Sequence, residues 1–355
     1  MPEAARITWG EGDTAAEAHP ELAAACGLER LVLKREDANP TGSHKDRGMA
    51  YQASAVRAAA PATRWLVISS SGNAAVSAAR AAARGGMRLA AFFAPETDPA
   101  KRVALVAEGA LSFVTPHALG MAEEVAQARG LPNLRPSTSP LAVPGFQTLL
   151  WELDERPTGC QAVFLFASSG TALVGLGRAL ARSTWQPELH VVQGAGAAPI
   201  AGPFDPRPAP PGRRVGALGA RKTRRLGEAV RAVRASGGSG WVIGDDEALE
   251  AAALLRAHGI PAALEASAAL AAAGRAAREG GLRSAVVVIS GAERPSPDAA
   301  ALDAADAACH RPATLAEALA ILDAAIARDR STDLGLPDAT SAAAATAAAR
   351  RDEPT

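Results

Sequence analysis

The sequence predicts an α/β fold built on parallel sheet, and three observations carry that prediction. From residue 30 to 291, short apolar runs alternate with helical patterns. The apolar runs are continuous, as in strands covered on both faces, where a half-exposed strand would alternate. Several of the helical stretches between them stop at glycine, the residue that most readily ends a helix in the left-handed region. The first run is Leu31-Val32-Leu33, followed by a helix marked by Met49, Ala53, Val56 and Ala60 and stopped by Pro61. Strands follow at 65–68, 89–93, 111–114, 163–166, 189–192 and 285–289. A helix over 74–84 ends at Gly85-Gly86, and another over 245–258 opens on acidic residues and ends at Gly259. Residues 199–213, PIAGPFDPRPAPPGR, are too rich in proline and glycine for regular structure and read as a loop. From about 330 the chain is low in complexity, with no apolar face to dock.

With 355 residues, 48% of them hydrophobic, the chain can bury one large core or two lobes. Its formal net charge of zero argues against nucleic acid or an anionic membrane as its main partner. Cys26, Cys160 and Cys309 are far apart and show neither metal-ligand spacing nor a disulfide framework. No apolar run reaches the roughly 18–20 residues that cross a bilayer, and no signal-like stretch opens the chain. These features predict a soluble, cytoplasmic protein without a metal site.

The most informative stretch is residues 39–48, NPTGSHKDRG, between a strand end and a helix. Pro40-Thr41-Gly42 is turn chemistry, and Ser43 is placed to cap the helix. Lys45 then falls in the first turn, where the positive end of the helix dipole opposes a further charge. A lysine held there is expected to have a lowered pKa, which suits an amine that attacks a carbonyl. Ser69 to Ala75, SSSGNAA, joins a strand to a helix and offers hydroxyls and free N–H groups to an anion. Ser168-Ser169-Gly170-Thr171 does the same after the 163–166 strand. Ser290 ends the last strand, at the carboxyl edge where parallel sheets keep their ligands. Taken singly, each of these is also what an ordinary turn or cap looks like.

Taken together and in order, they resemble the threonine synthases, of the type II fold of pyridoxal-phosphate enzymes. The pattern ExxNPTGSxKDRG is similar to that group's Schiff-base lysine motif, with His44 where most members have Phe. EGDTA at 11–15, VVQGAGAAPI at 191–200 and EASAALAA at 265–272 extend the likeness over about residues 9–295. The resemblance implies two open parallel-sheet lobes with pyridoxal 5'-phosphate in the cleft between them. The large lobe would comprise 1–49 and 146–300, the small lobe 50–145, with a helical segment at 301–330 and a disordered tail at 331–355. Lys45 would bond the cofactor and serve as general base and acid. Asn73 would meet the cofactor's ring hydroxyl and Ser290 its pyridine nitrogen. Ser168, Ser169, Gly170 and Thr171 would hold its phosphate. Ser70, Ser71, Gly72, Asn73 and Ala74 would grip the substrate carboxylate. A homodimer would fit the family habit.

The likeness weakens in the substrate half. Aligning Gly145 and Thr148 puts Ala142 where threonine synthases carry a phosphate-binding Arg, and Pro144 where they carry Glu. Arg135 and the basic cluster 221–225 are the available substitutes. The sequence therefore predicts a lyase that eliminates or replaces a β- or γ-substituent of an amino acid, with O-phosphohomoserine in doubt. A serine/threonine dehydratase or β-replacement enzyme needs no distal phosphate clamp and is the alternative, with a non-catalytic cofactor-binding homologue second.

Overall fold

Ten strands form two sheets in the computed structural model, which describes residues 1–332 apart from 71, 208–209, 211, 213 and 217–222. They are β1 Ala16–Ala18, β2 Arg30–Lys34, β3 Trp65–Ser69, β4 Arg88–Phe93, β5 Leu111–Val114, β6 Ala162–Phe166, β7 Glu188–Gly194, β8 Gly240–Ile243, β9 Ser284–Val288 and β10 Cys309–His310. One sheet has the order β1-β2-β9-β6-β7-β8 and the other β10-β5-β4-β3. Every pairing is parallel except β1 with β2. The antiparallel edge is a departure from the all-parallel expectation. Its sequence, Ala-Glu-Ala, has no apolar run to announce it, and the pairing to β2 alone defines it. Strands β8 and β10 were equally silent, being short. The segment 301–330 is more than helix, since β10 adds to the smaller sheet beside β5. Among the described residues, 199–213 contains neither helix nor strand.

The continuous apolar strands do what that pattern requires. In the larger sheet Leu31, Leu33, Phe164 and Val287 enter one core layer, while Val32, Val163, Leu165, Val286 and Val288 enter the opposite one. In the smaller sheet Leu66, Ile68, Leu89 and Phe93 face one layer and Trp65, Val67, Ala90 and Phe92 the other. The two-residue period of a strand thus fills both faces at once. The helix Leu315–Thr332 covers the second of these layers with Ala318 and Leu322.

Helix Lys45–Ala59 connects β2 of the larger sheet to β3 of the smaller one. It crosses helix Val143–Glu155 at a glycine contact. A Cβ on Gly145 would lie 2.1 Å from the carbonyl oxygen of Arg47, and one on Gly48 would lie 2.7 Å from the Phe146 ring. Only residues without side chains let the backbones come this close.

Candidate active site

Lys45 opens its helix, and the turn before it holds Gly42 at φ +78°. Asp46 clamps that turn. It accepts hydrogen bonds from the Thr41 N–H at 2.8 Å, the Thr41 hydroxyl and the Ser77 hydroxyl at 2.6 Å. The capping residue is His44, already helical, rather than Ser43. Ser43 Oγ accepts only a long bond from the Lys45 N–H, 3.4 Å. The next residue, Arg47, is buried between two carboxylates, with Glu36 at 2.7 Å and Glu152 at 2.5 Å. Lys34 reaches Glu152 at 2.7 Å. This network ties β2, the Lys45 helix and the helix Val143–Glu155 together. No short motif marks its members, which are up to 118 residues apart in sequence.

The Lys45 ammonium lies 5.7 Å from the centre of the Phe146 ring. Burial lowers its pKa from 10.5 to about 8. The direction is the one expected of a helix start, and loss of water is the cause.

A cavity of about 470 Å³ opens beside it, bordered by Lys45, Ser70, Gly72, Asn73 and Ala74. Of the other expected residues, Ser168, Ser169 and Ser290 also border that cavity. Three adjacent strands of the larger sheet, β2, β9 and β6, deliver this wall by their carboxyl ends. The smaller sheet supplies the opposite element, through β3 and the helix Asn73–Arg84. Lys45 and Asn73 are first residues of helices, and the helix Thr171–Leu180 starts two residues after Ser169. Helix starts converging on one cavity suit anionic groups. Ser71, Arg221 and Lys222 lie outside the described residues.

Two expected residues are not part of the cavity wall. Thr171 Oγ1 donates to the Pro136 carbonyl at 3.1 Å and meets Ser169 Oγ at 3.0 Å. Gly170 is left-handed at φ +80°, and a Cβ there would lie 2.9 Å from Ala229 and from Ile200. The pair shapes the loop that carries Ser168 and Ser169. Arg225 supports the same place, donating to the carbonyls of Pro136 and Ser139.

Sequence reasoning overlooked Lys101 and Glu265, and left Arg135 among several options. All three border the cavity. Burial and the charge of Arg224 lower the pKa of the Arg135 guanidinium, which forms no hydrogen bond or ion pair among the described residues. Ala142, by contrast, is fully buried and does not border the cavity. Lys101 follows an Asp98 cap, a common helix start that carries no functional signal.

The residues present fit pyridoxal 5'-phosphate. A half-buried lysine borders a cavity roomy enough for the cofactor. Asn73 Oδ1, on the facing side of the cavity, is buried with no hydrogen-bond partner among the described residues. Such an atom costs stability unless a ligand supplies its partner. Two parallel-dominated sheets with this site between their carboxyl ends define the type II class of pyridoxal-phosphate enzymes.

The chain belongs to the family described as pyridoxal-phosphate dependent enzyme, whose model matches residues 7–291. Pyridoxal 5'-phosphate is its cofactor. A threonine synthase of Halalkalibacterium halodurans is 39% identical over 82 residues, 23% of this chain and 22% of that protein. A human protein described as serine dehydratase-like is 34% identical over 164 residues, 44% of this chain and 48% of that protein. The chain thus spans less than half the length of either relative. The structure of maize serine racemase superimposes with a TM-score of 0.69 at 19% identity, covering 85% of this chain and 95% of that one. That likeness is one of fold.

Proposed function

We propose that this chain is a pyridoxal-phosphate-dependent lyase that eliminates or replaces a β- or γ-substituent of an amino acid carrying a second anionic group. One observation supports the anionic substrate above the others: Lys101 and Arg135 border the same cavity as Lys45, and neither side chain has an ion-pair partner among the described residues. An unpaired guanidinium next to a polar cavity is a ready clamp for phosphate or carboxylate. O-phosphohomoserine is the member of this class that the threonine synthase likeness suggests. Ala142, buried away from the cavity, supplies no cation, so such a substrate would rely on Arg135 instead.

Bound pyridoxal phosphate supplies the electron sink for charge at the substrate's α-carbon. Lys45 Nζ is the group that would bond the cofactor. The same Nζ would be placed to take and return the α-proton of the substrate, and a pKa lowered to about 8 suits that work near neutral pH. Asn73 would hold the ring hydroxyl. Ser290, a neutral hydroxyl, would meet the ring nitrogen without forcing it to be protonated. Ser168 and Ser169, with the N-terminus of the helix Thr171–Leu180, would receive the cofactor phosphate. Ser70, Gly72, Asn73 and Ala74, at the start of their helix, would receive the substrate carboxylate. The three cysteines are free, which fits a reducing cytoplasm.

The second reading is a serine/threonine dehydratase or β-replacement enzyme, favoured by the human relative's longer alignment. A panel of amino acids decides between them, with release of phosphate, ammonia and keto acid and loss of chirality measured for each. The proposal expects the highest kcat/KM for a substrate with a distal phosphate or carboxylate. Preference for serine or threonine would replace it with the second reading. No turnover of any amino acid, with cofactor bound, would favour a non-catalytic homologue.

A further inference from the structure

The residue before the lysine is the feature that sets this cavity apart. His44 is buried, with its ring tilted against Phe146 at 5.5 Å between centroids. Its Nδ1 lies 2.7 Å from the carbonyl oxygen of Ser290. A carbonyl can only accept, so Nδ1 must carry the proton. The backbone N–H of His44 donates to the same oxygen at 3.1 Å. In a neutral ring, Nε2 is then an acceptor, and it lies 2.9 Å from Lys45 Nζ. Burial and the neighbouring charges of Lys45 and Arg47 hold the ring neutral, against the pull of the Ser290 carbonyl. A protonated ring would turn an N–H toward an ammonium with nothing to accept it.

We propose that His44 is a positioning residue for Lys45, its Nδ1–H anchored on the Ser290 carbonyl and its Nε2 holding one N–H of the lysine amine. The inference rests on Lys45 being the cofactor lysine. Its consequence is geometric. One hydrogen of the amine is tied back to the imidazole, and the rest of the group is left open to the cavity. The anchor is Ser290, the residue whose hydroxyl is proposed to meet the far end of the cofactor ring. The lysine and that end of the ring are therefore set by one chain of contacts, Lys45 to His44 to Ser290. A phenylalanine in this place could pack against Phe146 but would leave the amine unheld.

The test compares wild type, His44→Phe and His44→Gln, each stripped of cofactor and then reloaded. Phenylalanine keeps the ring's bulk, and glutamine restores an acceptor near Nε2. Cofactor capture is followed by absorbance, and borohydride reduction with peptide mass mapping locates the bond. Nitrogen NMR of the imidazoles, with the His44 signal assigned by its absence from the Phe variant, reads the tautomer. We expect the Nδ1–H tautomer, capture slowed about tenfold in the Phe variant with its melting temperature little changed, and most of the rate recovered with glutamine. With the pyridoxyl group on Lys45, an Nε2–H tautomer or wild-type capture by His44→Phe would overturn this inference alone. A pyridoxyl group on a different lysine would overturn both it and the assignment of Lys45.

Discussion

Lys45 shows how a residue's chemistry is set by its surroundings more than by its type. Its ammonium has lost water, so the neutral, nucleophilic form is half populated near pH 8 rather than 10.5. The rate of cofactor capture by stripped protein should therefore climb with pH and level off above about 8. A midpoint near 10 would show that the amine is solvated. The same shift acts on stability in the stripped protein. The folded pKa lies below the unfolded one, so the cost of burying the charge is complete below pH 8 and is relieved as pH rises from 8 to 10.5. Lys45→Ala should abolish the yellow, borohydride-reducible band while leaving the circular dichroism of the fold intact, since the variant removes a buried charge rather than a packing residue. A reducible band that survived in Lys45→Ala would place the cofactor elsewhere.

At the scale of elements, the Lys45 helix is held from behind by ions and from the side by a glycine contact. Arg47 is almost wholly buried between Glu36 and Glu152. Removing it would leave the Glu36 carboxylate without a cation and Glu152 with Lys34 alone, and Arg47→Ala should cost about 3–5 kcal/mol in chemical unfolding. Burial alone would raise the Glu152 pKa, but Arg47 and Lys34 bring it from 4.5 down to about 2. A depressed carboxylate stabilises above its unfolded pKa and loses that contribution as pH falls from 4.5 through about 2. Wild type should lose stability across that window, and Arg47→Ala should show a flatter acid limb. Equal slopes would mean the network does not form. Gly170 gives a second case. Its left-handed backbone and its contacts with Ala229 and Ile200 predict that Gly170→Ala costs about 3 kcal/mol, through strain and crowding. Weaker cofactor binding at unchanged stability would instead return this glycine to the phosphate contact that its sequence suggests.

For the whole molecule, the two sheets bring together groups that no single segment contains. β2, β9 and β6 supply Lys45, Ser290 and Ser168, and the smaller sheet supplies Asn73 and, near it, Lys101. Arg135 enters from the connection between the sheets. Arg135→Ala should lower kcat/KM for an amino acid with a distal phosphate by about 100-fold, the loss of a charge-assisted contact, while serine turnover changes little. The loss should fall on kcat as well as KM, because a departing phosphate gains charge as its bond breaks. If Arg135→Ala weakened cofactor binding instead, the guanidinium would belong to the cofactor phosphate, since the neighbouring Pro136 carbonyl accepts from Thr171 of the 168–171 loop.

The sequence by itself determined the class of fold, the cofactor and most of the segments that border the cavity beside Lys45. Apolar runs and helix stops are local, so β2, β3, β4, β5, β6, β7 and β9 were legible in it. The turn chemistry of Pro40-Thr41-Gly42 and the serine-rich helix starts were legible for the same reason. Tertiary structure decided the rest, because it depends on distance in space. It alone paired Ala16–Ala18 and Cys309–His310 into sheets, since segments so short have no pattern of their own. It alone joined Glu36, Arg47, Glu152 and Lys34, and set Thr171 Oγ1 against the Pro136 carbonyl. It buried Ala142 and brought Arg135 and Lys101 to the cavity. His44 is the clearest instance. In the sequence it is a mild departure beside a lysine. In the fold the Ser290 carbonyl, 246 residues away, sets which of its nitrogens carries the proton and so which one faces the amine.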